Sequence, residues 1–198
     1  MRERTSAGRP REFDDTEVLR KITGLFWKSG FEGVSLSQIM SATGLQKASL
    51  YAAFGDKRGM YLKALQQYHS DTVTGAARAL KDETVPPIER LRAFLSAPLT
   101  AAEHDRSGCF LCNASADQAD LNPETRTLVR TSFETLAKAI EAPLRALTPD
   151  LSATALENRA QLLLGLYSGY RIMVRSGVDV ARLFPGIDAA LQIAQADA

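Results

Sequence analysis

Two cysteines, two histidines and a single tryptophan in 198 residues leave little material for several kinds of function. Two cysteines cannot staple a chain in the way disulfide-dense secreted domains are stapled. Scattered histidines, His69 and His104, are thin material for acid–base catalysis, and the chain has no HExxH, no phosphate-cradling glycine loop, no GxSxG elbow and no evident carboxylate pair. An enzyme is therefore not expected, and a small helical enzyme stands as the poorer reading from another class. No apolar run approaches the ~18 residues of a membrane span, and no basic stretch precedes an apolar leader, so the expected location is the cytoplasm with no membrane partner. Alternating strand patterns are missing as well. Net charge is only +1, yet residues 1–60 carry 10 Lys and Arg against 7 Asp and Glu, leaving 14 against 16 for the remainder. Basic character is thus concentrated at the start of the chain, where a polyanion would be met.

What the chain does have is helical punctuation. Asp14 with Glu17 reads as a capping box, and Val18, Ile22, Leu25 and Phe26 recur at helical spacing, which predicts a helix over about 15–29. Trp27 reads as core or domain-edge packing. Ser35 with Gln38 forms a second capping box ahead of Leu36, Ile39 and Met40. Gly44 should end that helix, because it can enter the left-handed conformation without a Cβ clash. A further short helix then begins near Leu45, with Leu50 and Phe54 facing inward and Gln46, Lys47, Ser49 and Tyr51 facing out. Two short helices and a tight turn are a common way of placing one helix in a DNA groove, and an amide, an amine, a hydroxyl and a phenol suit phosphates and base edges. An ordinary helical hairpin with a solvated face has the same periodicity.

A resemblance separates these readings. From about Val18 to Leu65 the chain resembles the N-terminal domain of the TetR family of transcriptional regulators. Phe26 and Gly30-Phe31 resemble the family's ending of helix 1, and Ser35 and Ile39 its helix 2. Gly44-Leu45, Lys47, Ser49-Leu50-Tyr51 and Phe54 resemble its turn and recognition helix, and Lys57 the lysine opening helix 4. Ala48 stands where the family often has glycine, and Ala52-Ala53 where it often has larger residues. The resemblance implies an all-α protein with a three-helix helix-turn-helix domain at 12–57 and a helical effector-binding and dimerisation domain at 58–198. It implies a regulator, by family habit a repressor, whose dimer binds a pseudo-palindromic duplex DNA operator and is released by a small-molecule effector. Ahead of these domains, residues 1–11 set Arg2, Arg4, Arg9 and Arg11 against Glu3 with no apolar periodicity, and read either as a plain disordered terminus or as a flexible basic minor-groove arm. The expected DNA contacts are Ser35, Gln46, Lys47, Ser49, Tyr51 and Lys57, with Arg9 and Arg11 in the arm. Gly8-Arg9-Pro10 resembles the core tripeptide of minor-groove AT-hooks, and arginines gain from the narrow groove's negative potential.

Further along, a helix should run from near Asp56 to about Leu80, with Tyr61, Leu65 and Tyr68 inward, and stop before Pro86. Residues 87–104 present Ile88, Leu91, Phe94 and Leu95 on one face. Asn122-Pro123 opens another helix, which Pro143 should kink or end. Residues 153–176 are apolar on more than one side, which one core cannot cover, so residues 153–195 are expected to carry two helices of a homodimer interface, with Gly165, Ser168 and Gly169 permitting close approach. A central helix in a monomeric bundle is the alternative.

Cys109 and Cys112 form a CxxC within RSGCFLCNAS. A zinc site would need a second ligand pair, and a thioredoxin-like site would need a βαβ setting, so neither a metal nor a cofactor is expected. Two readings stay open. Gly108 suggests that Cys109 starts a helix whose dipole, with nearby Arg106, favours the thiolate of a sensor; a Gly-Cys here also resembles a TetR subgroup with electrophile-sensing members. Equally, both cysteines can be small buried apolar groups that pack or line a pocket. For a reversible ligand the candidates are Tyr68, Cys109, Cys112, Asn113, Phe133, Tyr167, Tyr170 and Arg171, which offer aromatic walls and a few polar anchors.

Overall fold

The computed structural model describes residues 14–117 and 122–196, and among these every regular element is helical. Helix α1 (Asp15–Ser29) starts at Asp14, whose carboxylate accepts from the Thr16 N–H at 2.8 Å. The expected capping box is only half formed. Glu17 pairs along the helix with Lys21 at 3.3 Å, an i,i+4 partner within easier reach than the cap backbone. Helix α2 (Leu36–Thr43) has its box complete: the Gln38 N–H donates to Ser35 Oγ at 3.3 Å and the Ser35 N–H to Gln38 Oε1 at 2.7 Å. Gly44 ends it at φ 75°, a conformation that a Cβ would strain. Helix α3 (Lys47–Phe54) begins later than expected because Gln46, at φ −75° and ψ 154°, is still extended. Leu50 and Phe54 are buried, α3 packing on α2 and α4, in a core that includes Ile22, Phe26 and Ile39.

Helix α4 (Lys57–Tyr68) passes through one wide π turn, His69–Val73, into α5 (Thr74–Leu80), so the long helix expected from the sequence is present with a change of face in its middle. That change has a use. Helix α4 packs mainly on α1 while α5 packs mainly on α8, and His69 at the transition bonds through Nδ1 to the Ser132 hydroxyl at 2.8 Å. One rod therefore belongs to both halves of the molecule.

Helices α6 (Pro87–Ala101), α7 (Phe110–Asp117), α8 (Pro123–Leu147), α9 (Ala153–Arg175) and α10 (Phe184–Gln195) complete the fold. Asn122 caps α8 by accepting from the Thr125 N–H at 2.8 Å. Of the kink or end expected at Pro143, the end does not occur, and α8 continues to Leu147. Only one backbone bond is lost near the helix end, and Ile140, Pro143 and Leu144 are all buried there, which outweighs it. Helix α9 packs on α8 and α6 through Leu163, Leu164, Tyr167 and Val174, while its opposite side leaves Leu162 and Ile172 more than half exposed, at 54% and 56%. Met173 on α9 and Phe184 and Ile193 on α10 are exposed apolar side chains as well. Among the described residues no helix is long and apolar enough to cross a membrane.

Candidate nucleic-acid interface and effector site

The outward side of α3 is polar and unobstructed. Gln46 and Lys47 are exposed at its start, Ser49 is half-buried, and Tyr51 is 39% exposed. Lys47 Nζ rests 5.2 Å from the Tyr51 ring centroid, one turn away, so the two form a single cationic and aromatic surface. Ala48 and Ala52 beside them are exposed and small, which lets a groove wall come close to the helix backbone. Ser35 is exposed at the N-terminus of α2, and its hydroxyl is already engaged with Gln38 and, at 2.9 Å, with Ser37. Lys57, in the first turn of α4, lies 4.4 Å over the Phe31 ring, and Arg58 lies 5.7 Å over the same ring. Arg9 and Arg11 lie outside the described residues.

Behind this face, α7 is joined directly to the end of α1. Asn113 Nδ2 donates to the Trp27 carbonyl at 3.2 Å and to the Ser107 carbonyl at 3.1 Å. The Phe31 N–H donates to Asp117 Oδ2 at 2.7 Å. Phe110, fully buried, stacks on Trp27 at 6.5 Å and meets Tyr61 and Tyr68 edge-on at 5.7 and 5.9 Å. Phe31 is thus the hinge of this junction, touching the α4 cations through its ring and α7 through its backbone.

The cysteines sit at the root of α7. Gly108 enters it at φ 78°, where a Cβ would stand 3.1 Å from the Arg171 carbonyl oxygen, so α7 begins hard against α9. Cys109 precedes the first helical residue and is buried; the Tyr68 hydroxyl donates to its sulfur at 3.5 Å. Hydrogen bonding by the Cys112 thiol, aided by Tyr68 and the charge of Arg171, holds the Cys109 thiol below its ordinary range in spite of burial. Cys112, the donor in that pair, is pushed up. The expected cation, Arg106, is exposed; the charge favouring the thiolate comes from Arg171 on α9. Arg171 in turn donates from Nε and Nη2 to the Tyr167 hydroxyl at 3.1 and 2.8 Å. Beyond it, a cavity of about 360 Å³ opens between α5, α6 and α9, walled by Ala76, Leu80, Phe94 and Tyr167 and bordered by Arg90 and Arg171. Among the described residues no three of His, Cys, Asp and Glu gather where an ion could be held.

Residues 18–64 match the family of bacterial regulatory proteins, tetR family, and residues 87–175 match the tetracyclin repressor-like C-terminal domain. The chain belongs to the TetR family. It is 28% identical over 146 residues to the HTH-type transcriptional repressor DhaR of Mycobacterium sp. (strain GP1), spanning 69% of this chain and 73% of that one. Over 63 residues it is 41% identical to the repressor ComR of Escherichia coli (strain K12), spanning 32% and 30% of the two chains. Among solved structures, a cysteine mutant of the TetR family regulator CifR, complexed with 26-base-pair operator DNA, superposes with a TM-score of 0.79 at 25% identity, covering 93% of this chain and 98% of that one. This TetR protein is accordingly a DNA-binding transcriptional regulator and not an enzyme.

Of the ligand candidates read from the sequence, Tyr68, Cys109, Cys112, Tyr167 and Arg171 come together around one buried point. The other three stand apart. Asn113 is occupied in the α1 junction, Phe133 borders a separate hollow between α7, α8 and α9, and the Tyr170 hydroxyl donates to the Leu183 carbonyl at 3.0 Å to tie α10 down. In this TetR chain the sequence reading missed Asp117, Arg90 and Arg58. Only Arg58 had a readable signal, its place beside Lys57 in a helix's first turn.

Proposed function

We propose that the protein is a transcriptional repressor that binds a pseudo-palindromic operator as a homodimer in the cytoplasm and is released by a small-molecule effector. The observation that carries this reading is the coexistence of an open polar face on α3 with a solvent-facing apolar surface on α9 and α10. Related by a two-fold axis, two such subunits present two recognition helices, and these fit successive major-groove faces only at one separation. The relatives named as repressors and the DNA-bound neighbour support it. In this reading the arm at 1–11 adds affinity, residues 12–57 read DNA through Gln46, Lys47, Ser49, Tyr51 and Lys57, and residues 58–198 bind effector and partner.

Release follows from the junction. An effector that favours a displaced α7 draws Asn113 and Asp117 away from α1, and α1 carries α3 with it, so the spacing of the recognition helices changes and the population shifts off DNA. Selection of bound genomic fragments followed by footprinting should return two symmetric half-sites whose centres are about 34–36 Å apart or a multiple of that. A single asymmetric footprint occupied by one protomer would exclude the dimeric mode.

A second reading is favoured by one observation, the thiolate-stabilising surroundings of Cys109, and makes that thiol the sensor. Attack by the Cys109 sulfur on an alkylating carbon, with departure of its leaving group, would add bulk between Tyr68 and Phe110 where there is no room. Because the thiol is held below its ordinary range, its thiolate fraction and hence its alkylation rate should persist at neutral pH and fall on acidification only below that range. Burial should make iodoacetamide faster than bulkier maleimides. Cys109→Ser should keep operator affinity and lose release; complete modification with the operator still bound would eliminate the sensor and leave reversible binding.

A further inference from the structure

The cavity between α5, α6 and α9 has a composition that selects its occupant. Its walls are alanine and leucine side chains and the Phe94 and Tyr167 rings, stacked with centroids 4.2 Å apart. At about 360 Å³ it lies at the lower end of small-ligand sites. Two guanidinium groups border it against one carboxylate, Asp82, which already accepts from the Thr84 N–H at 3.0 Å and hydroxyl at 2.6 Å. Arg90 is buried; its Nη1 donates to the Leu80 carbonyl at 3.0 Å while its Nε has no partner. Arg171 bonds to a neutral phenol. Among the described residues neither arginine forms an ion pair. A buried and a half-buried cation that no carboxylate pairs directly, beside an apolar hollow, are a poor arrangement for the empty protein and a good one for an anion with an apolar body.

We propose that this cavity binds a compact organic carboxylate, its apolar or aromatic body against Phe94 and Tyr167 and its carboxylate on Arg171, with Arg90 supplying the second charge. The charge of Arg171 also acts on the Cys109 sulfur, so ligand and thiolate share one guanidinium and occupancy slows modification of Cys109. Binding stands on the cavity alone; its consequence for DNA rests on the effector-released reading above.

Benzoate and hexanoate are suitable probes, titrated calorimetrically into the full chain with benzamide as the uncharged counterpart. At least one acid should bind saturably with Kd on the order of 1 mM or tighter and raise Tm, and benzamide should bind roughly tenfold more weakly or worse. Arg171→Gln should remove acid binding. Because that change also takes a donor from Tyr167, Ala97→Leu serves as a second variant that fills the cavity from α6 and leaves both charges; it should block the acids in a protein whose own Tm is preserved. Equal binding of benzamide, unchanged acid affinity in both variants, or no saturable binding of either acid would overturn the site. Acid binding that leaves the operator occupied upholds the site and overturns its role as effector cavity. An iodoacetamide rate at Cys109 unaffected by saturating acid overturns the sharing of Arg171.

Discussion

Replacing Gly169 by glutamate is expected to convert the protein to monomers or insoluble material and to lower operator affinity by about 10²–10⁴-fold, the range lost when two linked binding events become independent. An ideal Cβ at Gly169 meets nothing within 4 Å in the single chain, so the subunit itself can house a side chain there. A partner cannot. Gly169 lies on α9 beside exposed Leu162, Ile172 and Met173, and a carboxylate pressed into that apolar surface by a second subunit would lose its water without gaining a counterion. The contrast assigns the effect to association and not to folding: the variant's helicity should be retained while its sedimentation coefficient drops. Wild-type protein sedimenting as a monomer at micromolar concentration would refute the interface and the palindromic operator together.

Lys47→Ala and Tyr51→Ala should each weaken binding to a selected operator by roughly 5- to 150-fold per half-site at fixed salt, the effect of about 1–3 kcal/mol from one base-edge contact. Both side chains are exposed, Lys47 resting over the Tyr51 ring, so neither removal disturbs the core built on Leu50 and Phe54. Lys57→Ala should behave differently, lowering affinity on every sequence alike and reducing the salt slope by about one per protomer, as for a lost phosphate contact. Retention of full affinity in both α3 variants would sink the recognition-helix assignment whatever Lys57 does.

The DNA-facing helices and the effector side differ in how far the amino-acid order alone reveals them. Capping at Ser35 and Gln38, the stop at Gly44 and the inward pair Leu50 and Phe54 are interactions between residues within four positions of one another, so sequence spacing is enough to read them. Both boundaries of α1, the start of α8 at Asn122-Pro123 and the two-sided apolar pattern of α9 are legible for the same reason. Where spacing misled, a competing contact decided. Glu17 found Lys21 in place of the cap, and α8 ran through Pro143 because burial of its last turn outweighs one missing hydrogen bond.

The effector side could not be read in this way. Arg171 reaches Cys109 from a helix 62 positions further along the chain, and the nearer Arg106 was the natural but mistaken choice when only sequence distance was visible. Asn113 carried no sign that its amide would bridge 86 positions back to Trp27, nor did Asp117 that it would meet the Phe31 backbone. By itself the sequence determined the all-helical class and the outward residues of the two short helices, because periodicity and capping are local, and the TetR resemblance of the same residues marked that pair as a helix-turn-helix. Only the tertiary structure decided which buried groups share a charge, which polar side chains join α7 to α1, and where the arginine-bordered cavity opens, because those depend on how distant helices cross.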